Sequence, residues 1–127
     1  MSTPDYYKYD DGETHFECFD ISRYYSGDWA QVIQYVFRWE KKGGIKDLEK
    51  ALACANDAYF NGIECKMLTH NKIVWKSVAH KIKRLSDTYY ADSEKFWCWL
   101  ANIRDTEMCI NLLEEMIDNA NKTSKSV

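Results

Sequence analysis

A chain of 127 residues has the length of one domain with one core, and 46% apolar residues are enough to fill it. A net charge of −3 excludes a surface that attracts nucleic acid throughout. One proline and five glycines leave few strand-turn signals, so the composition reads as all-α.

The cysteines Cys18, Cys54, Cys65, Cys98 and Cys109 are odd in number and lack metal-ligand spacing. They read as buried free thiols of a reducing compartment. His15 and Cys18 offer two soft ligands where a closed zinc site needs four, so no metal site is expected. No apolar run approaches the roughly 20 residues of a membrane span. The first residues, polar and acidic, do not resemble a secretion signal. The expectation is a cytoplasmic protein with no membrane partner.

Residues 1–14 read as an acidic, tyrosine-rich arm. It carries Tyr6, Tyr7 and Tyr9 with Asp5, Asp10, Asp11 and Glu13. Tyrosines in such an arm pack back onto the domain or stack on a base. A short helix is expected over about 16–25, closed by Ser26-Gly27, and Asp28 then caps the next helix. That helix, about 29–42, has an apolar stripe of Trp29, Val32, Ile33, Val36 and Phe37 at i, i+3, i+4, i+7 spacing. Its other face carries Gln31, Gln34, Arg38, Lys41 and Lys42, with Tyr35 on the border. Glu40 falls on the apolar side and is expected to find a cation on a neighbouring helix.

Gly43 reads as the left-handed terminator, with Lys41 and Lys42 suited to the negative end of the helix dipole. The next helix, about 45–60, buries Leu48, Ala51, Leu52, Ala55 and Tyr59. So short a link makes the two helices an antiparallel hairpin. Asn61-Gly62 breaks the chain. A third long helix, about 71–86, turns Trp75, Val78, Ala79, Ile82 and Leu85 inward. The span from Lys66 to Arg84 holds Lys66, Lys72, Lys76, Lys81, Lys83 and Arg84 with no acid. It is a solvated face or a face for an acidic partner or phosphates. A further helix starts near Asp92 or Ser93 and buries Phe96, Trp99, Leu100 and Ile103. Trp97 points about 100° away from Phe96, toward another helix or a partner surface. A last helix over about 106–120 presents Cys109, Leu113, Met116, Ile117 and Ala120, and residues 121–127 read as a frayed tail. The sum is one helical domain over residues 1–127. It is a compact all-α bundle of about five to six helices with a tight hairpin at Gly43-Gly44.

The stretch "RWEKKGG" raises the question of phosphate binding. The Gly-x4-Gly-Lys-Ser/Thr loop of nucleotide hydrolases is absent. What remains is Arg38, Lys41 and Lys42 beside the amides that open the 45–60 helix, and helix N-termini do bind phosphate. Arg38 and Lys42 stand at i, i+4, placed to reach one anion. The alternative is a solvated cationic face. Glu114, Glu115 and Asp118 lie within one turn, a grouping that holds magnesium in some helical nucleotide hydrolases, but no second carboxylate helix accompanies it. His15, His70 and His80 sit in no nucleophile motif.

The ordered pieces "ECFDI", "QYVFRWEKKGG" and "KDLEKAL", over about residues 17–52, resemble a small phage-encoded domain family of unknown function. That family includes a coliphage nucleotide kinase that lacks the usual phosphate loop. The matching positions include Glu17, Asp20, Tyr35, Arg38, Lys42, Gly43, Asp47, Leu48, Lys50 and Ala51. The chain departs from the pattern at Ala30 and Gln31, where the family has a Gly-Asn pair, and at Gln34, where it has lysine. The resemblance implies a phage or prophage accessory protein with a nucleotide-binding core, in which binding is favoured over turnover. Glu17, Asp20, Tyr35, Arg38, Lys41, Lys42, Asp47 and Lys50 would form the site. Magnesium would enter with the nucleotide if a reaction occurs. The cell would be an infected bacterium.

Two other classes stay open. One is an inhibitor of host defence of the anti-CRISPR type, or a sponge for signalling nucleotides. In it Tyr6, Tyr7, Tyr9, Asp10, Asp11 and Trp97 would meet a host defence protein, the acidic arm covering a basic groove. The other is a helical interaction module that builds a homodimer.

Overall fold

The computed structural model of the protein describes residues 3–102 and 105–125. Among them lie six α-helices and one small two-stranded sheet, a mostly helical bundle.

The acidic N-terminal segment is folded. After a 3-10 turn at Asp5–Tyr7, strand β1 (Lys8–Asp10) pairs antiparallel with β2 (His15–Glu17), Tyr9 opposite Phe16. The turn is made by aspartates. Asp10 accepts from the Gly12 amide, and Asp11 accepts from the amides of Glu13 and Thr14. Tyr9 and Phe16 point the same way, stack at 4.7 Å and are buried. The hairpin is clamped to the bundle by Arg84, whose guanidinium bonds Asp11. Phe16 therefore belongs to a strand, and helix α1 covers only Phe19–Ser22.

Helix α2 (Gly27–Arg38) buries the expected stripe from Trp29 to Phe37. Asp28 does not cap it; it lies in the first turn, and a hydrogen bond with Asp57 and burial raise its pKa. Helix α3 (Ile45–Phe60) packs back on α2 and also on α6, as the hairpin reading required. Its buried face is Leu48, Ala51, Ala55 and Ala58, small residues that allow close approach. Tyr59, expected inside, is 46% exposed because Ala58 takes the inward position.

Helix α4 (Lys72–Asp87) is capped by Asn71, whose side chain accepts from Ile73 and Val74. Val78, Ile82 and Leu85 are buried against α5 (Glu94–Asn102) and α1. Trp75 corrects the sequence reading: it is half exposed, because Val74 takes the inward position in the first turn of α4. Trp97 takes the first of its two expected places, packing inside the bundle, and not the partner surface. It is fully buried against Phe37 and Phe96 and donates its indole N–H to Tyr90 O. Ile103 lies outside the described residues. Helix α6 (Thr106–Lys125) runs through the region expected to fray, with Cys109 and Leu113 buried; 126–127 lie outside the described residues. No helix among the described residues is long and apolar enough to cross a membrane. Cys18, Cys65 and Cys109 are buried, but Cys54 is half-buried and Cys98 exposed. Burial pushes the Cys18 thiol up to about 12.

Candidate functional site

The link between α2 and α3 is organised by one ion pair. Arg38, the last residue of α2, donates from Nε and from one terminal nitrogen to the two oxygens of Asp47, each at 3.1 Å. Its other terminal nitrogen donates to Tyr7 Oη at 2.8 Å. Burial works against the Arg38 charge, but hydrogen bonds and the negative partners outweigh it, and its pKa is raised. Asp47 is 1% exposed and also accepts from the Gly43 amide at 3.0 Å. Asp47 is thus closed off from any ligand, and three of the five N–H groups of Arg38 are already used.

The two glycines differ in role from the sequence reading. Gly44, not Gly43, is the left-handed residue, at φ 60° and ψ −143°. Gly43 is required for space: a Cβ there would stand 2.2 Å from Asp47 Cγ. Lys41 and Lys42 lie in the link rather than in α2, and their amides still bond Arg38 O.

On one side of the link, cations cover tyrosine rings. Lys42 Nζ sits 4.6 Å from the Tyr6 ring centre and 3.2 Å from its Oη. Arg38 lies 5.9 Å from that ring and 5.0 Å from the Tyr35 ring, whose other cation is Lys50 at 5.7 Å. The structure therefore brings Arg38, Lys42, Tyr35, Asp47 and Lys50 together. Glu17 and Asp20 are not part of this. Asp20 accepts from the Glu17 amide and pairs with Arg23, and among the described residues neither bonds to the link.

The residues read as a partner-binding arm are mostly engaged internally. Tyr9 is buried, Asp11 is tied to Tyr9 and Arg84, and Trp97 is in the core. Tyr6 and Tyr7 hold Lys42 and Arg38. Asp10 remains exposed but serves the hairpin turn.

On the other side of the link a cleft of about 470 Å³ opens, walled by Trp39, Glu40, Gly44, Asp92, Met116 and Asn119. The Trp39 indole is fixed in place: its N–H donates to Ala91 O at 2.9 Å and reaches Ser93 Oγ at 3.2 Å. Glu40 finds no cation partner among the described ion pairs, which corrects the expectation. Burial, then the Asp92 charge, raises its pKa, and nearby Lys41 opposes this. Asp92 is delivered by a strained segment in which Tyr89, Ala91 and Asp92 all have positive φ. Such strain persists only where its surroundings hold it, and it concentrates at binding sites. Tyr90, the neighbour of Ala91 in the strained segment, carries Lys41 over its ring at 5.4 Å, and burial pushes its hydroxyl up to about 12. The N-terminus of α3, at Gly44 and Ile45, lines the same cleft and has no side-chain cap.

Comparison with protein-family models, with curated proteins and with solved structures finds no match to this chain.

Local chemistry therefore defines what the site can do. An immobilised indole offers a stacking face. Glu40, Asp92 and Asn119 offer hydrogen-bond partners for a planar polar edge. The uncapped helix end at Gly44 and Ile45 offers positive charge at the cleft wall. Trp39, Asp92 and Asn119 were not among the residues read as functional. The one signal for this cleft was Glu40, an acid on an apolar face. Glu115 of the α6 acidic cluster pairs instead with Lys95 at 2.8 Å.

Proposed function

We propose that this protein binds a nucleotide at the α2–α3 link. The base would stack on Trp39 inside the cleft, with its polar edge toward Asn119 and Asp92. The phosphates would lie near the first amides of α3, at Gly44 and Ile45. The observation that carries this reading is a cleft of about 470 Å³ with a fixed indole wall, opening at the uncapped end of a 16-residue helix. Stacking of a base on an aromatic side chain contributes about 1–3 kcal/mol, and an N-terminal helix end favours anions. Magnesium carried with the phosphates would bring Glu40 into play as an oxygen ligand.

The sequence resemblance over residues 17–52 supports the same class and adds a place in phage nucleotide metabolism. Binding without turnover is favoured. Gln31 and Gln34, where the family pattern is broken, serve Cys54 and Ser22 here. The site proposed on charge is shifted by one face of the link: Arg38 and Asp47 build the corner, and the ligand lies against Trp39.

Calorimetry of the full chain with the deoxynucleoside monophosphates, with and without magnesium, tests the reading. Saturable heat that vanishes in Trp39→Ala and is not reproduced by orthophosphate alone supports it. No heat with any nucleotide removes it.

A further inference from the structure

The solvent side of α4 has a character that the nucleotide reading does not use. Ile73 is 81% exposed, Trp75 50% and the neighbouring Leu68 49%. At 3.6 residues per turn, Trp75, Lys72, Lys76, His80 and Ile73 follow one another around roughly 160° of the helix. Lys66, Lys72 and Lys76 form no ion pair with any described residue. Lys83 and Arg84, further along, are already held by Asp87 and Asp11. Lys81 also forms no ion pair with a described residue, but its ammonium donates to Ser77 Oγ at 2.6 Å; Lys66, Lys72 and Lys76 lie toward the end of α4 that carries the exposed apolar residues.

Beside Trp75 a second cleft of about 200 Å³ is lined by Tyr25, Lys66, Met67, Ile82 and Leu100. An apolar cavity of roughly 150 Å³ accommodates a benzene ring, so this cleft has room for one aliphatic side chain. The segment that forms its rim is fixed, because the Leu68 amide donates to Tyr24 O at 2.8 Å.

We infer that this face docks an acidic protein segment that carries apolar side chains. The charge complement selects the partner. Lys66 lines the apolar cleft with Trp75, Lys72 and Lys76 follow Trp75 around the helix, and the span from Lys66 to Arg84 contains no acid. An acidic helix or strand with one leucine-like anchor satisfies both parts: the anchor fills the cleft against Trp75, and carboxylates meet Lys66, Lys72 and Lys76. A nucleic acid fits less well. It needs a field that extends over many phosphates, and the chain as a whole carries −3. It also has no aliphatic group for the cleft.

The test uses the full chain and a fluorescein-labelled synthetic peptide of glutamate with leucine at helical spacing, followed by anisotropy. The expected result is saturable binding that weakens with added salt. Trp75→Ala and the pair Lys72→Glu, Lys76→Glu should each weaken it about tenfold or more. These side chains are exposed, so melting by circular dichroism should match the parent; a Lys66→Glu variant gives an independent reading of the cleft rim. Three results would overturn the inference: no saturable binding, binding that the variants leave unchanged, or preference for a thymidine oligonucleotide or phosphatidylglycerol vesicles over the peptide. A dimer in light scattering that Trp75→Ala dissolves would also overturn it, by showing a second copy on this face.

Discussion

Arg38 and Asp47 hold each other through two hydrogen bonds of 3.1 Å across the α2–α3 link, with side chains only 13% and 2% exposed. Removing one partner leaves a buried charge without compensation, which costs roughly 3–5 kcal/mol. Asp47→Ala and Arg38→Ala should each show a loss of that order in urea unfolding. The double replacement Arg38→Met, Asp47→Leu should lose much less. Equal losses in single and double variants would contradict the assignment.

Gly43 and Gly44 should fail for different reasons. Alanine at 43 meets a carboxylate that cannot withdraw without breaking the Arg38 pair, and overpacking of this kind costs about 1–3 kcal/mol. Alanine at 44 has open space around its Cβ but an unfavourable backbone. The double variant Gly43→Ala, Asp47→Ala should therefore be less than additive. Gly44→Ala should add its full effect to Asp47→Ala. Thermal melts of the single and double variants check both.

The hairpin clamp should be sensitive to acid. Asp11 accepts from the Tyr9 hydroxyl, from the Thr14 amide and from Arg84, and these hold its carboxyl well below the usual carboxylate range. A carboxylate whose pKa is depressed on folding stabilises the protein above its unfolded value, near 4, and loses that contribution as pH falls toward the folded one. Melting temperature should thus drop below about pH 4 in the parent. Asp11→Asn should start lower at neutral pH and show a flatter acid limb. A parallel acid limb would assign the effect to other groups.

The strained segment beside the cleft should be improvable. Ala91 has φ 57°, a left-handed position that suits glycine. Ala91→Gly should raise stability by up to about 1 kcal/mol, because relief of the Cβ clash exceeds the extra chain entropy. Tyr90→Phe should be neutral or stabilising, since its buried hydroxyl has no hydrogen-bond partner among the described residues. A clear loss in Tyr90→Phe would show that this hydroxyl has a partner in solution.

Much of the helical frame was legible. The α2 stripe from Trp29 to Phe37 and the folding back at Gly43-Gly44 follow from periodicity and turn chemistry alone. Trp75 was misassigned and Trp97 left open for one physical reason. Periodicity marks a broad face, and packing decides which of two adjacent residues, such as Val74 and Trp75, turns into the core. The hairpin strands span three residues each, too few for a period of two to register. In the site, charge and position singled out Arg38, Lys42 and Asp47. Which of these would consume one another is a distance, and sequence does not contain it. Trp39, Asp92 and Asn119 meet only because α6 and the 89–92 segment close over the link.

The central claim, a base stacked on Trp39, is tested most directly by saturation-transfer NMR of a deoxynucleoside monophosphate with the full chain. Transfer to the base protons, lost in Trp39→Ala but retained in Arg38→Lys, is the predicted result. Absence of transfer in the parent, or transfer unchanged in Trp39→Ala, would contradict it.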